Sequence, residues 1–238
     1  MSTAKSATTQ HDSKISLVVF DMAGTTVEDT GLVRQSFIAA DDHAGLSKTE
    51  ADRTEMLRYV AETMGQSKIV VFRHLSRGNE EQAQAANKEF ERCYGQLVAE
   101  GNCSAIPGAE DVITSLRSRG IKTALTTGFA RETQTAIIDA LGWHDLADIV
   151  LCPEPGMRGR PFPDMPLVAL MRTGTESVGS MVVVGDTSSD VISGLRAGAR
   201  ASVGVLTGAH DTEQLAAAGA TGILDSVADL PSLIAALG

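Results

Sequence analysis

The 238-residue sequence has few cysteines, few aromatic residues and no surplus of basic charge. Its three cysteines, Cys93, Cys103 and Cys152, are odd in number and lack CxxC spacing, so neither a disulfide framework nor a zinc site is indicated. Thirty Asp plus Glu against twenty Lys plus Arg give a formal net charge of -10. This balance argues against nucleic acid or an anionic membrane as the main partner. It is compatible with an anionic small molecule that local cations, a metal ion or helix N-termini would bind.

Long hydrophobic runs are also absent, and no stretch is long enough to cross a bilayer. The first residues, MSTAKSATTQHDS, are polar and lack the hydrophobic block of a signal peptide. We therefore expect a flexible N-terminal tail over residues 1–13 and a cytoplasmic protein.

The sequence contains a repeated alternation of short β-branched runs with helix-length amphipathic stretches. A helix is expected over about residues 131–141, and strands are predicted over residues 15–20, 121–125, 147–151, 181–185 and 201–206. Nearly continuous apolar strands alternating with helices are typical of a parallel sheet covered on both faces, so the predicted class is α/β. Ligands bind such sheets beyond the carboxyl ends of the strands.

Residues 32–103 interrupt this alternation, because they contain helix-period stretches and no convincing strand. We predict a helical cap domain over residues 32–103, inserted into a core domain formed by residues 14–31 and 104–238. Its position after the first strand would place it over the strand ends. The alternative is a helical subdomain packed away from the site.

Acidic residues follow two of the predicted strands. Asp21 ends the first strand, and Asp186 and Asp190 follow the strand at 181–185. Three carboxylates at the ends of parallel strands suit a hard divalent cation, which prefers oxygen ligands. In the alternative interpretation, Asp186 and Asp190 merely cap the next helix.

From Ile15 to the C-terminus the chain resembles the haloacid dehalogenase superfamily of phosphohydrolases, on the strings VVFDMAGTT, LTTG, GRPFP and VVVGDTSSD. The resemblance implies a Rossmann-like parallel-sheet core with an inserted α-helical cap of the C1 type. It implies that Asp21 is a nucleophile forming an aspartyl-phosphate. Thr126 and the NH groups of Thr127 and Gly128 would contact the transferring group, and Arg160 would balance its charge.

The same resemblance implies Mg²⁺ as cofactor, held by Asp21, Asp186 and the backbone carbonyl of Ala23, with Asp190 in support. Most phosphatases of the superfamily carry a second aspartate two positions after the nucleophile, which protonates the leaving group. Here that position is Ala23. Either another group supplies the proton, or the leaving group does not need one.

The phosphonatase branch of the superfamily, the phosphonoacetaldehyde hydrolases, also has alanine in this DxAGTTV string. That branch forms an imine between its aldehyde substrate and a cap lysine in an MGxxK motif. The match to residues 64–68 implies that Lys68 forms the imine and that Met64 contributes to substrate binding. Burial under the cap would lower the pKa of Lys68. The alternative is an ordinary solvated helix lysine.

The chain departs from the phosphonatase pattern at three positions. Leu32, Val71 and Phe129 stand where that branch has a cysteine, a histidine and a tyrosine. Four scattered histidines, His43, His74, His144 and His210, lack metal-ligand spacing and are interpreted as surface or capping groups.

The leading hypothesis is a Mg²⁺-dependent hydrolase that cleaves the carbon–phosphorus bond of a small carbonyl phosphonate, phosphonoacetaldehyde or a close analogue. The alternative enzyme is a phosphatase for a small phosphorylated metabolite. A third hypothesis is a non-catalytic sensor of phosphoryl ligands. The resemblance also makes a homodimer an expectation.

Overall fold

The computed structural model describes residues 14–237. The tail predicted over residues 1–13 lies outside the described residues. A six-stranded sheet lies at the centre, in the order β3-β2-β1-β4-β5-β6, and every neighbouring pair of strands is parallel. The strands are β1 (Leu17–Asp21), β2 (Lys122–Thr126), β3 (Ile149–Leu151), β4 (Met181–Gly185), β5 (Ala201–Val205) and β6 (Gly222–Leu224).

The three central apolar strands, β1, β4 and β5, are buried along their whole length, as expected for a sheet covered on both faces. The predicted α/β class and parallel sheet are confirmed. The sixth strand was not predicted, because Gly222–Leu224 is a three-residue edge strand that is only half-buried and has no apolar run of its own.

Ten α-helices surround and extend the sheet within the described residues. They are α1 (Leu32–Ala44), α2 (Glu50–Glu62), α3 (Lys68–Leu75), α4 (Glu80–Ala99), α5 (Ala109–Ser118), α6 (Arg131–Leu141), α7 (Asp164–Thr173), α8 (Ser188–Ala197), α9 (Thr212–Ala217) and α10 (Leu230–Leu237). Helix α6 has the bounds that the sequence pattern predicted.

Helices α1 to α4, here called the helical insertion, follow β1 and precede the rest of the sheet. Side-chain caps define where two of them begin: Thr49 and Asp52 form a capping box at α2, and the Asn79 side chain accepts a hydrogen bond from the backbone of α4. Inside the insertion, the rings of Phe37, Phe72 and Phe90 lie with centroids 4.8 to 6.0 Å apart. Three helices of the insertion therefore pack their aromatic rings together, and these rings belong to the same hydrophobic core as the central strands.

Two connections join the helical insertion to the sheet, and they run side by side. The Glu28 amide donates to the carbonyl of Ser104 at 2.9 Å, and the Ile106 amide donates to the carbonyl of Thr26 at 2.9 Å. Both connections thus leave the sheet next to the end of β1. Within residues 14–237, no helix combines the length and the apolar character needed to span a membrane.

Candidate active site

Three acidic side chains meet at the carboxyl ends of β1 and β4. Asp21 is the last residue of β1, Asp186 directly follows β4, and Asp190 lies in the first turn of α8. One carboxylate oxygen from each lies within 4.8 Å of the others, and all three side chains are buried. Asp190 also completes the capping box of α8 with Thr187, so this residue both caps a helix and belongs to the acidic cluster.

Arg160 is the cation that contacts this cluster. Its guanidinium lies 2.5 Å from Asp21 Oδ1 and 2.8 Å from Asp190 Oδ1, and it donates a hydrogen bond to the Thr126 hydroxyl. Only 6% of Arg160 is exposed. Because the planar fork of arginine contacts several acceptors at once, it fixes Asp21 and Asp190 relative to β2.

The cluster carries more negative charge than Arg160 can balance. Burial raises the pKa of Asp21 to about 7, with Arg160 opposing the shift and Asp190 adding to it. Burial, followed by the charges of Asp21 and Asp190, also raises the pKa of Asp186. Asp186 accepts hydrogen bonds from the Thr25 hydroxyl and the Ala209 amide.

An oxygen-rich, buried cluster with excess negative charge fits a hard divalent cation such as Mg²⁺. Asp21 and Asp186 would provide carboxylate ligands, and Ala23 lies on the same cavity. Asp190, which is already bonded to Arg160 and Thr187, would support them rather than bind the ion directly.

A small cavity of about 30 Å³ lies between these residues and the helical insertion. It brings most of the sequence-predicted site residues together. The sheet side contributes Asp21, Ala23, Thr127, Gly128, Arg160 and Asp186, and the insertion contributes Met64, Gly65 and Lys68.

Two predicted site residues lie outside this lining. Asp190 is behind Arg160, and the Thr126 hydroxyl accepts from Arg160 while donating to the carbonyl of Phe20 at 3.0 Å. In this arrangement Thr126 positions Arg160, and the Thr127 and Gly128 backbone is what lines the cavity.

Lys68, the first residue of α3, is buried, with 6% of its surface exposed. Its Nζ atom lies 5.0 Å from the ring centroid of Phe129, 5.8 Å from that of Phe90 and 5.9 Å from that of Phe37. Within residues 14–237, no hydrogen bond or ion pair to the Lys68 amine is formed. The interpretation of Lys68 as an ordinary solvated lysine is therefore wrong.

The surroundings of Lys68 make its ammonium easier to deprotonate than that of a solvated lysine. Burial lowers the pKa of the amine, and the negative charges of Glu91, Asp21 and Asp29 oppose part of this shift. The three rings offer a cation only weak stabilisation compared with water. Lys68 is thus an amine in an aromatic cage, facing the same cavity as Asp21.

Glycines allow the turn between α2 and α3 to lie directly against the sheet loops. Gly65 has φ +81°, and a Cβ there would lie 2.4 Å from Thr187 Oγ1. A Cβ on Gly128 would lie 2.7 Å from the carbonyl oxygen of Gln66, and one on Gly159 would lie 2.9 Å from Ser67 Cβ. The chain therefore approaches closely here, against main chain at Gln66 and against short side chains at Ser67 and Thr187, and these contacts place Lys68, three residues after Gly65.

The three departures from the phosphonatase pattern have different surroundings. Phe129 lines the cavity and contacts the Lys68 amine through its ring. Leu32 and Val71 instead belong to the main hydrophobic core, so their apolar character is explained by packing.

The four histidines are surface or capping groups, as predicted, and His210 is the capping one, because it accepts from the first backbone amide of α8. His43, His74 and His144 are exposed, but His210 is buried. His210 Nδ1 accepts from the Ser188 amide at 2.8 Å, which leaves the proton on Nε2, 3.3 Å from the carbonyl oxygen of Ala61 in α2. His210 thus links the sheet side to the helical insertion, a contact between residues so distant in sequence that no local pattern indicates it.

Two carboxylates near the cavity were also missed. Glu91 of α4 accepts hydrogen bonds from the Ala130 amide at 3.2 Å and from the Thr133 hydroxyl, and so caps α6, which lacks a side-chain cap of its own. Asp29, on the first connection, lines the cavity. Asp29 could have been found from its position just before a helix, which is typical of a capping residue.

Comparisons with known proteins agree with this geometry. A model of the haloacid dehalogenase-like hydrolase family matches residues 15–198. Phosphonoacetaldehyde hydrolase of Bacillus cereus (strain AH187) is 31% identical over 222 residues, covering 83% of this chain and 78% of that protein. Probable phosphatase IndB of Dickeya dadantii (strain 3937) is 28% identical over 217 residues, covering 90% of this chain and 91% of that protein.

Among solved structures, a phosphonoacetaldehyde hydrolase-like protein from Oleispira antarctica superposes with a TM-score of 0.79 at 26% identity, covering 95% of this chain and 93% of that chain. A hydrolase from Pseudomonas syringae shares the fold, with a TM-score of 0.80 at 23% identity over 93% of this chain and 98% of that chain. The family match spans most of the chain and includes the loops that carry the acidic cluster. This chain belongs to the haloacid dehalogenase-like hydrolase family.

Proposed function

We propose that this hydrolase cleaves the carbon–phosphorus bond of a small carbonyl phosphonate, phosphonoacetaldehyde or a close analogue, with Mg²⁺ as cofactor. The observation that carries the proposal is Lys68: a buried amine with a lowered pKa, without a hydrogen-bond partner among residues 14–237, on the same small cavity as Asp21. An ordinary phosphate ester offers no group for such an amine to react with, whereas an aldehyde does.

The reaction begins with the Lys68 amine adding to the carbonyl carbon, and loss of water leaves an iminium. A carboxylate oxygen of Asp21 then attacks phosphorus as the carbon–phosphorus bond breaks. The electron pair of that bond moves toward the iminium nitrogen and gives an enamine. This leaving group needs no proton on oxygen, which is compatible with Ala23 at the position where most relatives have an acid.

Two hydrolyses complete the cycle. Water attacks the phosphorus of the aspartyl-phosphate and releases inorganic phosphate and free Asp21. The enamine takes a proton at the carbon that held phosphorus, and water then cleaves the imine, which releases the aldehyde without its phosphonate group and frees the Lys68 amine. A bound Mg²⁺ would neutralise the phosphonate and Asp21, so that one anion can approach the other.

The helical insertion acts as a cap in this proposal. A cavity of about 30 Å³ has room for only about two water molecules, so a phosphonate enters only if the insertion moves away from the sheet. The adjacent connections near Thr26 to Glu28 and Ser104 to Ile106 are the place for that hinge. Closure then excludes water and brings Lys68 to the substrate.

Trapping the imine tests the proposal. Sodium borohydride added with phosphonoacetaldehyde and Mg²⁺ should inactivate the enzyme and leave a reduced adduct on the peptide that contains Lys68, read by mass spectrometry. Lys68→Arg should prevent the adduct. Lys88→Arg, which changes an exposed lysine of α4, should leave it intact. An active enzyme that is neither inactivated nor labelled contradicts the proposal.

A phosphatase acting on a small phosphorylated metabolite is the second candidate, and the similarity to a probable phosphatase over 90% of the chain favours it. It would share Asp21, Arg160 and the metal ion but would not need the Lys68 amine. Retained turnover of a phosphate ester in Lys68→Met, without turnover of any carbonyl phosphonate by the unmodified enzyme, would identify it. Action in the cytoplasm and a homodimeric state stay predictions.

A further inference from the structure

The proposed function has one requirement that Asp21, Arg160 and Lys68 do not meet. Imine formation needs a proton removed from the Lys68 ammonium and a proton delivered to the hydroxyl that leaves as water. The phosphonatase branch has polar residues at the positions of Leu32, Val71 and Phe129, and this chain has none there. Another group close to Lys68 must transfer these protons.

Asp29 lies in the required place. It lines the same cavity as Lys68 and Asp21, on the connection between β1 and the helical insertion. Its Oδ1 atom accepts hydrogen bonds from the amides of Gly31 at 3.2 Å and Val33 at 3.3 Å. These bonds fix the carboxylate at the start of α1, and no side-chain cation pairs with it in the described part of the chain.

The charge of Asp29 acts on the interior of the site. It is one of the charges that oppose the lowering of the Lys68 pKa. Burial raises the pKa of Tyr94, and the charge of Asp29 adds to that shift. Tyr94 is fully buried, and its hydroxyl has no hydrogen-bond partner in residues 14–237.

The other carboxylates around Lys68 are already engaged. Asp21 is bonded to Arg160, and Asp186 accepts from a hydroxyl and an amide within the acidic cluster. Glu91 caps α6 through both of its oxygens and is not part of the cavity lining. Among the carboxylates that line the cavity, Asp29 is therefore the one outside the acidic cluster. Its Oδ2 atom accepts no hydrogen bond from the described residues.

We propose that Asp29 is the catalytic acid and base for imine formation on Lys68, an inference that rests on the proposed function. The Asp29 carboxylate takes one proton from the Lys68 ammonium, and the free amine adds to the carbonyl carbon. Within the adduct, a proton moves from nitrogen to oxygen. Asp29 then returns its proton to that hydroxyl, the carbon–oxygen bond breaks, and water leaves. Overall, one ammonium group and one aldehyde are converted into one iminium ion and one water molecule.

Asp29→Asn tests this inference, because the amide keeps an oxygen for the Gly31 and Val33 amides but cannot exchange protons. Two rates are compared in the Mg²⁺-loaded enzyme. One is borohydride trapping of Lys68 with phosphonoacetaldehyde, and the other is hydrolysis of p-nitrophenyl phosphate, which needs Asp21 but no imine and no acid for its leaving group. The ratio of the first rate to the second should fall on the order of 100-fold.

Glu28→Gln is the matched control, since Glu28 precedes Asp29 on the same connection and does not line the cavity. Its ratio should equal that of the unmodified enzyme, and Asp29→Glu should recover part of the loss. An unchanged ratio in Asp29→Asn, or an equal loss of both rates, overturns the role of Asp29. Absence of trapping in the unmodified enzyme overturns the proposed function instead, so the two failures are distinct.

Discussion

Two glycines of the helical insertion form a matched pair for testing how Lys68 is placed. Gly65 and Gly78 have nearly the same backbone φ angle, +81° and +82°, in the left-handed region. A Cβ on Gly78 would have no atom within 4 Å, whereas one on Gly65 would lie 2.4 Å from Thr187 Oγ1 and 3.3 Å from Ser189 Cβ. Alanine at either position thus introduces the same backbone strain, but only alanine at 65 pushes against the sheet loops.

The shared strain is about 1 kcal/mol, because left-handed backbone brings a Cβ close to the following carbonyl oxygen. For a chain of this size, that corresponds to a fall in Tm of about 2–4 °C. Gly78→Ala should show this fall and keep its activity. Gly65→Ala should be less stable still and should also lose about 100-fold in kcat/KM, since a displacement of about 1 Å at a reacting group has that effect.

Thermal melts and steady-state hydrolysis of phosphonoacetaldehyde with Mg²⁺ measure the two quantities on the same protein samples. The comparison isolates the contact between the Gly65 turn and Thr187 from general loss of stability. Equal activity in Gly65→Ala and Gly78→Ala would refute the reasoning, because it would mean that the position of Lys68 does not depend on that contact.

Two further predictions concern ionisable side chains near the cavity. Lys68→Met should abolish imine trapping. It should also raise the free energy of unfolding at pH 7 by about 1–3 kcal/mol, because it removes an unpaired polar group from the aromatic cage. Chemical denaturation measures this free energy, and a destabilised variant would contradict the prediction. Glu91 has a pKa raised mainly by burial, so its contribution to stability is present below the ordinary value of 4.5 and is lost as the pH rises through the raised value. The stability of Glu91→Gln relative to the unmodified protein should therefore increase between pH 4 and pH 8 in thermal melts, and a constant difference would contradict the assignment.

The sheet could be predicted because its strands are local apolar runs. Residues 181–185 are the bounds of β4 as the sequence pattern gave them, and helix α6 begins and ends where its periodicity indicated. The edge strand β6 could not be found, because pairing with β5 rather than composition makes Gly222–Leu224 a strand.

In the candidate active site, too, some features could be predicted from local sequence and others could not. Asp21 ends β1 and Asp186 directly follows β4, so their meeting at the sheet edge follows from the parallel arrangement. The cage around Lys68 requires Phe37, Phe90 and Phe129, which come from three separate segments of the chain, and no spacing predicts that they converge. The sequence indicated a reactive lysine through its motif, but the burial of the amine depends on tertiary packing.

The contacts of Gly65, Gly128 and Gly159 determine how the helical insertion packs on the sheet loops, whereas other residues determine the shape of the cavity. At Gly128 and Gly159 the sheet side offers main chain without a side chain to Gln66 and Ser67, and at Gly65 the insertion does the same toward Thr187. Phe129 and Val33 line the cavity, and neither takes part in these glycine contacts. Substrate preference can therefore diverge by ordinary substitution around the cavity while the closed geometry is inherited unchanged.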